Sequence, residues 1–119
     1  MKKILIIDDE KATLSMFRLL LGAYGFAVLT AENGSAGIDL FKREHPALVF
    51  TDIKMPGIDG LEVVKRIKEI DPGVPIVVIT GHGDTDLAEQ ASDTDATAFI
   101  HKPIQRKALE EALKLAGGD

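Results

Sequence analysis

The strongest constraint on this chain is a set of short, uninterrupted apolar runs. Ile4–Ile7, Ala47–Phe50, Ile76–Ile79 and Ala98–Ile100 hold no charged residue, and Ala27–Thr30 is a weaker fifth. A strand with one wet face alternates apolar and polar residues. A run that does not alternate is buried on both faces, as in a parallel sheet covered by helices. The segments between the runs have helical spacing. Leu14, Phe17, Arg18, Leu21 and Tyr24 form one face with Leu20. Ala36, Ile38, Leu40 and Phe41 form a second. Leu61, Val63, Val64, Ile67 and Ile70 form a third, and Ala108, Leu109, Ala112, Leu113 and Leu115 a last. Gly22, Gly25, Pro46, Pro72 and Gly117 punctuate them. Five strands alternating with five helices predict an α/β, doubly wound (βα)5 domain over 1–119. Its parallel sheet has the order 2-1-3-4-5, with helices on both faces.

In such a sheet, ligands bind beyond the C-terminal strand ends where the order reverses, between strands one and three. Strand one ends at Asp8-Asp9-Glu10 and strand three at Asp52. Strand four ends at Thr80-Gly81-His82-Gly83, and strand five at His101-Lys102-Pro103. Each residue alone has an ordinary reading. Asp8 or Asp9 is an N-cap, Asp52 starts a turn, Thr80 ends a strand and Lys102 is a solvated charge. Together at one edge they are a cluster of acids, a hydroxyl and an ammonium. Packed carboxylates raise one another's pKa, and a hard divalent cation with oxygen ligands relieves that. A carboxylate is also a nucleophile able to form an acyl phosphate, and phosphoryl transfer needs mainly positioning and charge neutralisation. No nucleotide-binding glycine motif is present, so the expected phosphoryl donor is another protein or a small molecule.

Composition excludes several other classes. The chain has no cysteine, and its formal net charge is −5. That excludes disulfides, thiolate metal sites and cysteine nucleophiles, and it argues against a basic nucleic-acid footprint. The apolar run after Met1-Lys2-Lys3 stops at Asp8, too short for a signal core, and no run approaches a membrane span. The expectation is a cytoplasmic protein with no direct nucleic-acid or membrane partner.

Over essentially its whole length the sequence resembles the receiver domain of bacterial two-component response regulators, the CheY-like, flavodoxin-like fold. The acidic pair Asp8-Asp9 carries the resemblance, with Asp52 in D-I-K-M-P-G-I-D-G, then Thr80 and Lys102-Pro103 in order and spacing. The resemblance implies a phosphorylation-activated switch that catalyses only its own phosphorylation and dephosphorylation. Asp52 is then the phosphoacceptor. Asp9, Asp52 and the Lys54 backbone carbonyl ligate Mg²⁺, and Asp8 acts through water. Thr80 and Lys102 contact the phosphoryl group, and Pro103 follows a cis bond. Thr80 and Phe99 are the switch pair, Phe99 standing where the family usually keeps tyrosine. The implied partners are a sensor histidine kinase or phosphotransfer protein and a downstream protein or effector domain. The latter docks on a surface of helix four, strand five and helix five. The T-G-H-G-D and D-I-K-M-P-G stretches resemble receivers of enhancer-dependent transcription activators, so the chain reads as a stand-alone receiver or part of a longer regulator.

Some positions depart from that pattern. The expected fourth helix, Asp84–Asp95, holds five acids and no base. It reads as a solvated helix, or as a weakly docked acidic face for a basic partner. His82 is a loop histidine or a residue gating water to the acyl phosphate. His45 and His101 have no metal-ligand spacing and receive no role. Three rival readings fit the residues less well. An aspartyl phosphatase wants an acid two residues after the nucleophile, where Lys54 stands. A flavodoxin-like cofactor binder wants a phosphate loop where Asp8-Asp9-Glu10 stands. A phosphorylation-independent interaction domain leaves the intact residue set unexplained.

Overall fold

The computed structural model describes residues 1–81 and 96–117. The expected fourth helix and His82 lie outside these residues. The described elements are β1 (Lys3–Ile7), α1 (Lys11–Ala23), β2 (Ala27–Ala31), α2 (Gly34–Glu44), β3 (Leu48–Asp52), α3 (Gly60–Ile70), β4 (Ile76–Thr80), β5 (Ala98–His101) and α4 (Arg106–Leu113). A short 3₁₀ turn over Lys114–Ala116 follows α4, which is the helix expected fifth from the sequence. The five strands form one sheet in the order β2-β1-β3-β4-β5, and every pairing is parallel.

The continuous apolar runs have their explanation in two cores. Successive strand residues point to opposite faces. Leu5 and Ile7 of β1, Val49 of β3 and Ile76 and Val78 of β4 enter a core closed by α2 and α3 through Ile38, Phe41, Val63, Val64 and Ile67. Ile4 and Ile6, Leu48 and Phe50, and Val77 and Ile79 enter the opposite core. There α1 and α4 supply Leu14, Phe17, Leu21, Leu109, Ala112 and Leu113. Neither face is wet, so alternation has no reason to occur. The Phe17 and Phe50 rings sit 5.5 Å apart at a tilt of 38° and lock α1 to the central strand. The weak run became β2, an edge strand whose first four residues are only half-buried.

The helical faces are narrower than the spacing suggests. Leu14, Phe17 and Leu21 of α1 are buried, but Leu20 and the following Tyr24 are each 41% exposed. Tyr24 instead donates its hydroxyl to Glu110 Oε2 at 2.8 Å, tying the end of α1 to α4. Ile70 and Leu115 also surface.

The segment between β3 and α3 is anchored at both ends. Ile53 and Met55 are buried, Gly57 takes a left-handed φ of +81°, and Asp59 caps α3 by accepting the Glu62 N–H at 2.9 Å. Gly60 is required by contact rather than by φ. A Cβ there would overlap the Asp52 carbonyl oxygen and lie 2.7 Å from Ile53 Cα. Both obstacles are backbone and cannot swing aside. The helix-propensity gain of alanine over glycine, up to about 1 kcal/mol, is smaller than the displacement it forces. Gly60→Ala is expected to destabilise by about 1–3 kcal/mol, measured by urea unfolding. Unchanged stability would mean that the β3 end tolerates a shift beside Asp52.

Candidate functional site

The reversal of strand order places the ends of β1 and β3 side by side. Ile7 pairs with Thr51, so the next residues, Asp8 and Asp52, leave the sheet together. Carboxylate oxygens of Asp8, Asp9 and Asp52 lie within 4.8 Å of one another. Asp8 and Asp52 are buried and Asp9 is exposed. Neither Asp8 nor Asp9 is the N-cap of α1. That position belongs to Glu10, whose side chain makes no capping bond. Asp8 Oδ1 accepts the Glu10 N–H at 2.9 Å, while the buried Oδ2 has no hydrogen-bond partner among the described residues.

Lys102 supplies the positive charge. Its Nζ is 3.7 Å from Asp52 Oδ2 and 4.0 Å from both Asp8 Oδ2 and Glu10 Oε1. Its backbone N–H donates to the Thr80 carbonyl at 2.8 Å, extending the β4–β5 ladder by one residue and positioning the lysine. The Lys102–Pro103 bond is cis.

One ammonium does not balance this cluster. Burial pushes the Asp8 carboxyl from its ordinary 3.8 up to about 6, and the charges of Asp52 and Asp9 add to the rise. The Glu10 N–H and Lys102 oppose it. Asp52 is also pushed up, again mainly by burial and further by Asp9. Lys102 and the N–H groups of Lys54 and Ile53 act against that. The donors are all oxygens, the local charge is negative and the buried Asp8 Oδ2 lacks a hydrogen-bond partner among the described residues. That combination fits a hard divalent cation.

Thr80 closes β4 and is 1% exposed. Its Oγ1 faces β5, 2.7 Å from His101 Nδ1 and 3.5 Å from the Ile100 carbonyl. Phe99, on the same strand, is 37% exposed. Lys54 is exposed. Of the residues singled out from sequence, Asp8, Asp9, Asp52 and Lys102 therefore meet in one cluster. Thr80 sits at the neighbouring strand end with its hydroxyl bonded to β5. His101 was missed. Its signal was the strand pairing itself, since Thr80 and His101 are register partners.

The sign of the Asp8 shift fixes a pH dependence. A carboxyl with a raised folded pKa binds its proton more tightly in the folded state. The stability this gives is present below about 4 and is lost as pH rises through about 6. Asp8→Asn removes the titration. In cation-free buffer the variant should gain about 1–3 kcal/mol over wild type at pH 7, and the gain should vanish toward pH 4. Urea unfolding of both proteins across this range measures the difference. A pH-independent difference would contradict the electrostatic cause.

The comparisons with known proteins agree with this arrangement. The family model described as response regulator receiver domain matches residues 4–114. The chain is 31% identical over 113 residues to sporulation initiation phosphotransferase F of Bacillus subtilis (strain 168), covering 95% of this chain and 91% of that protein. It is 33% identical over 110 residues to the transcriptional regulatory protein GlrR of Escherichia coli (strain K12), covering 92% of this chain but only 25% of the relative. The chain thus spans about a quarter of that regulator's length. Among solved structures, a response regulator receiver domain protein from Clostridium thermocellum superposes with a TM-score of 0.91 at 36% identity, over 98% of this chain and 94% of that one. The continuous match, the sheet order and the acidic strand ends lead to one conclusion: the chain belongs to the response regulator receiver domain family of two-component signalling, in which a phosphorylation-switch role is general.

Proposed function

We propose that this protein is a phosphorylation-activated signalling switch whose phosphoacceptor is Asp52. The observation that carries this reading is the placement of the Asp52 carboxylate. It is 6% exposed, lies at the C-terminal end of the central strand, and has Lys102 Nζ 3.7 Å away and two further carboxylates beside it. A structural ion pair would need one acid for one base. This edge holds an excess of acids at the position where such sheets bind ligands.

Asp9, Asp52 and the Lys54 carbonyl would hold Mg²⁺, with Asp8 acting through water. When bound, the ion supplies charge neutralisation and a template for phosphoryl oxygens. The chain's own residues do the rest. An Asp52 carboxylate oxygen attacks the phosphorus of a phosphohistidine on a kinase or phosphotransfer protein. The P–O bond of an acyl phosphate forms as the P–N bond breaks, and the electron pair returns to the imidazole. Lys102, a point charge beside Asp52, offsets negative charge on the phosphoryl oxygens. Thr80 donates its hydroxyl to one of them, and Phe99 moves inward from its exposed position. The new charge shifts the balance between two arrangements of the β5 and C-terminal helix surface, where a downstream protein or effector domain binds. The cytoplasmic setting rests on the family, whose receiver domains are generally cytoplasmic. The part of the expected output face formed by residues 84–95 lies outside the described residues.

Intact mass after incubation with acetyl phosphate and Mg²⁺ tests the reading. Wild type should gain one phosphoryl group, and both a chelator and Asp52→Asn should abolish the gain. A gain that persists in Asp52→Asn would move the phosphoacceptor elsewhere.

A further inference from the structure

The Thr80 hydroxyl is already engaged in the resting arrangement. Thr80 is 1% exposed, and its Oγ1 meets two partners on β5: His101 Nδ1 at 2.7 Å and the Ile100 carbonyl at 3.5 Å. A threonine hydroxyl has one proton to give. The nearer partner is at an ideal hydrogen-bond distance, whereas the carbonyl is at the outer limit. In either imidazole tautomer β5 holds the hydroxyl: it donates to an unprotonated Nδ1, or it accepts from Nδ1–H while its own proton goes to the Ile100 carbonyl. The pairing is set by the sheet, because Thr80 and His101 face each other in the parallel β4–β5 register.

We propose that His101 is a positioning residue of the switch: its Nδ1 holds the Thr80 hydroxyl on the β5 side, and this bond is surrendered when Thr80 donates to a phosphoryl oxygen. The inference rests on the proposed phosphoacceptor reading and deepens it by naming what the resting state must give up. One hydroxyl proton cannot serve a β5 acceptor, Nδ1 or the Ile100 carbonyl, and a phosphoryl oxygen at once. The Thr80–His101 bond therefore stabilises the resting arrangement and weakens phosphoryl binding by the worth of one hydrogen bond. His101 also sits directly before Lys102, on the edge strand that carries Phe99. Release of Thr80 thus frees the strand whose aromatic must turn.

Beryllofluoride, a phosphoryl mimic that binds the carboxylate non-covalently with Mg²⁺, reads this balance without a kinase. Its affinity would be measured by titration of amide shifts for wild type, His101→Ala and His101→Asn. Each would be prepared with Thr80 intact and with Thr80→Val. His101→Ala should tighten beryllofluoride binding by about 2- to 12-fold, the range expected for one neutral hydrogen bond. His101→Asn, which keeps a polar atom near the Nδ1 position, should stay close to wild type. In the Thr80→Val background the His101→Ala effect should disappear. A merely structural role for His101 would not depend on the Thr80 hydroxyl. Affinity unchanged or weakened by His101→Ala, or tightened equally with Thr80→Val, would overturn the inference while leaving the phosphoacceptor reading standing. No beryllofluoride binding by wild type would overturn both. The His101 ring is exposed, so these variants should fold, and thermal unfolding of each would verify that.

Discussion

The rest of the structure is organised around an electrostatic conflict: three carboxylates within 4.8 Å of one another, two of them buried, with one lysine to balance them. Left to itself, such a cluster favours protonation, and burial raises the pKa of both Asp8 and Asp52. A fold selected only for stability would place apolar or paired groups here. The hydrophobic cores on both sides of the sheet instead hold the two acidic strand ends in fixed register. The carboxylates cannot separate to relieve their repulsion. Protonation relieves part of this repulsion, and on the proposed reading a bound cation relieves the rest. On that reading the site is a store of unfavourable charge, and a ligand that neutralises it shifts the balance of states.

Two details show how the scaffold maintains the conflict. Gly60 lets the start of α3 press against the Asp52 carbonyl, so the strand end is held from behind by backbone. The β4–β5 pairing continues through the Lys102 N–H to the Thr80 carbonyl, which brings the lysine over the acids from the far side of the switch point. Both supports are backbone contacts. They fix positions without adding charge, leaving the electrostatics to the ligand. Thr80 and Phe99 lie on the two strands on that same side, Thr80 buried and Phe99 exposed. On the proposed reading, this is the side that changes when the charge at Asp52 changes.

Much of this was legible in the sequence because burial on both faces writes itself as unbroken apolar runs. Once Ile4–Ile7 and Leu48–Phe50 are read as central parallel strands, the acids that end them must meet. Other features were not legible, for physical reasons. Helical spacing reveals an apolar face but not its width, which depends on where neighbouring helices stop. Leu20 and Tyr24 share the α1 spacing with Leu21 yet surface beside α4. The capping preference of aspartate pointed to Asp8 or Asp9, but α1 begins one residue later, and Asp8 turns its oxygen back to the Glu10 N–H. The Thr80–His101 contact joins residues 21 apart whose meeting depends on strand register. A search for metal-ligand spacing could not find it, because histidine acts there as a hydrogen-bond partner for a hydroxyl.

The most direct test of the central claim is whether the carboxylate cluster takes a divalent cation. Mg²⁺ would be titrated into uniformly ¹⁵N-labelled wild type and Asp9→Asn at neutral pH, following backbone amide shifts. The account predicts saturable changes in wild type confined to residues near Asp8–Glu10, Asp52–Lys54 and Lys102, with much weaker binding in Asp9→Asn. Absence of saturable changes there, or equal affinity in the variant, would contradict it.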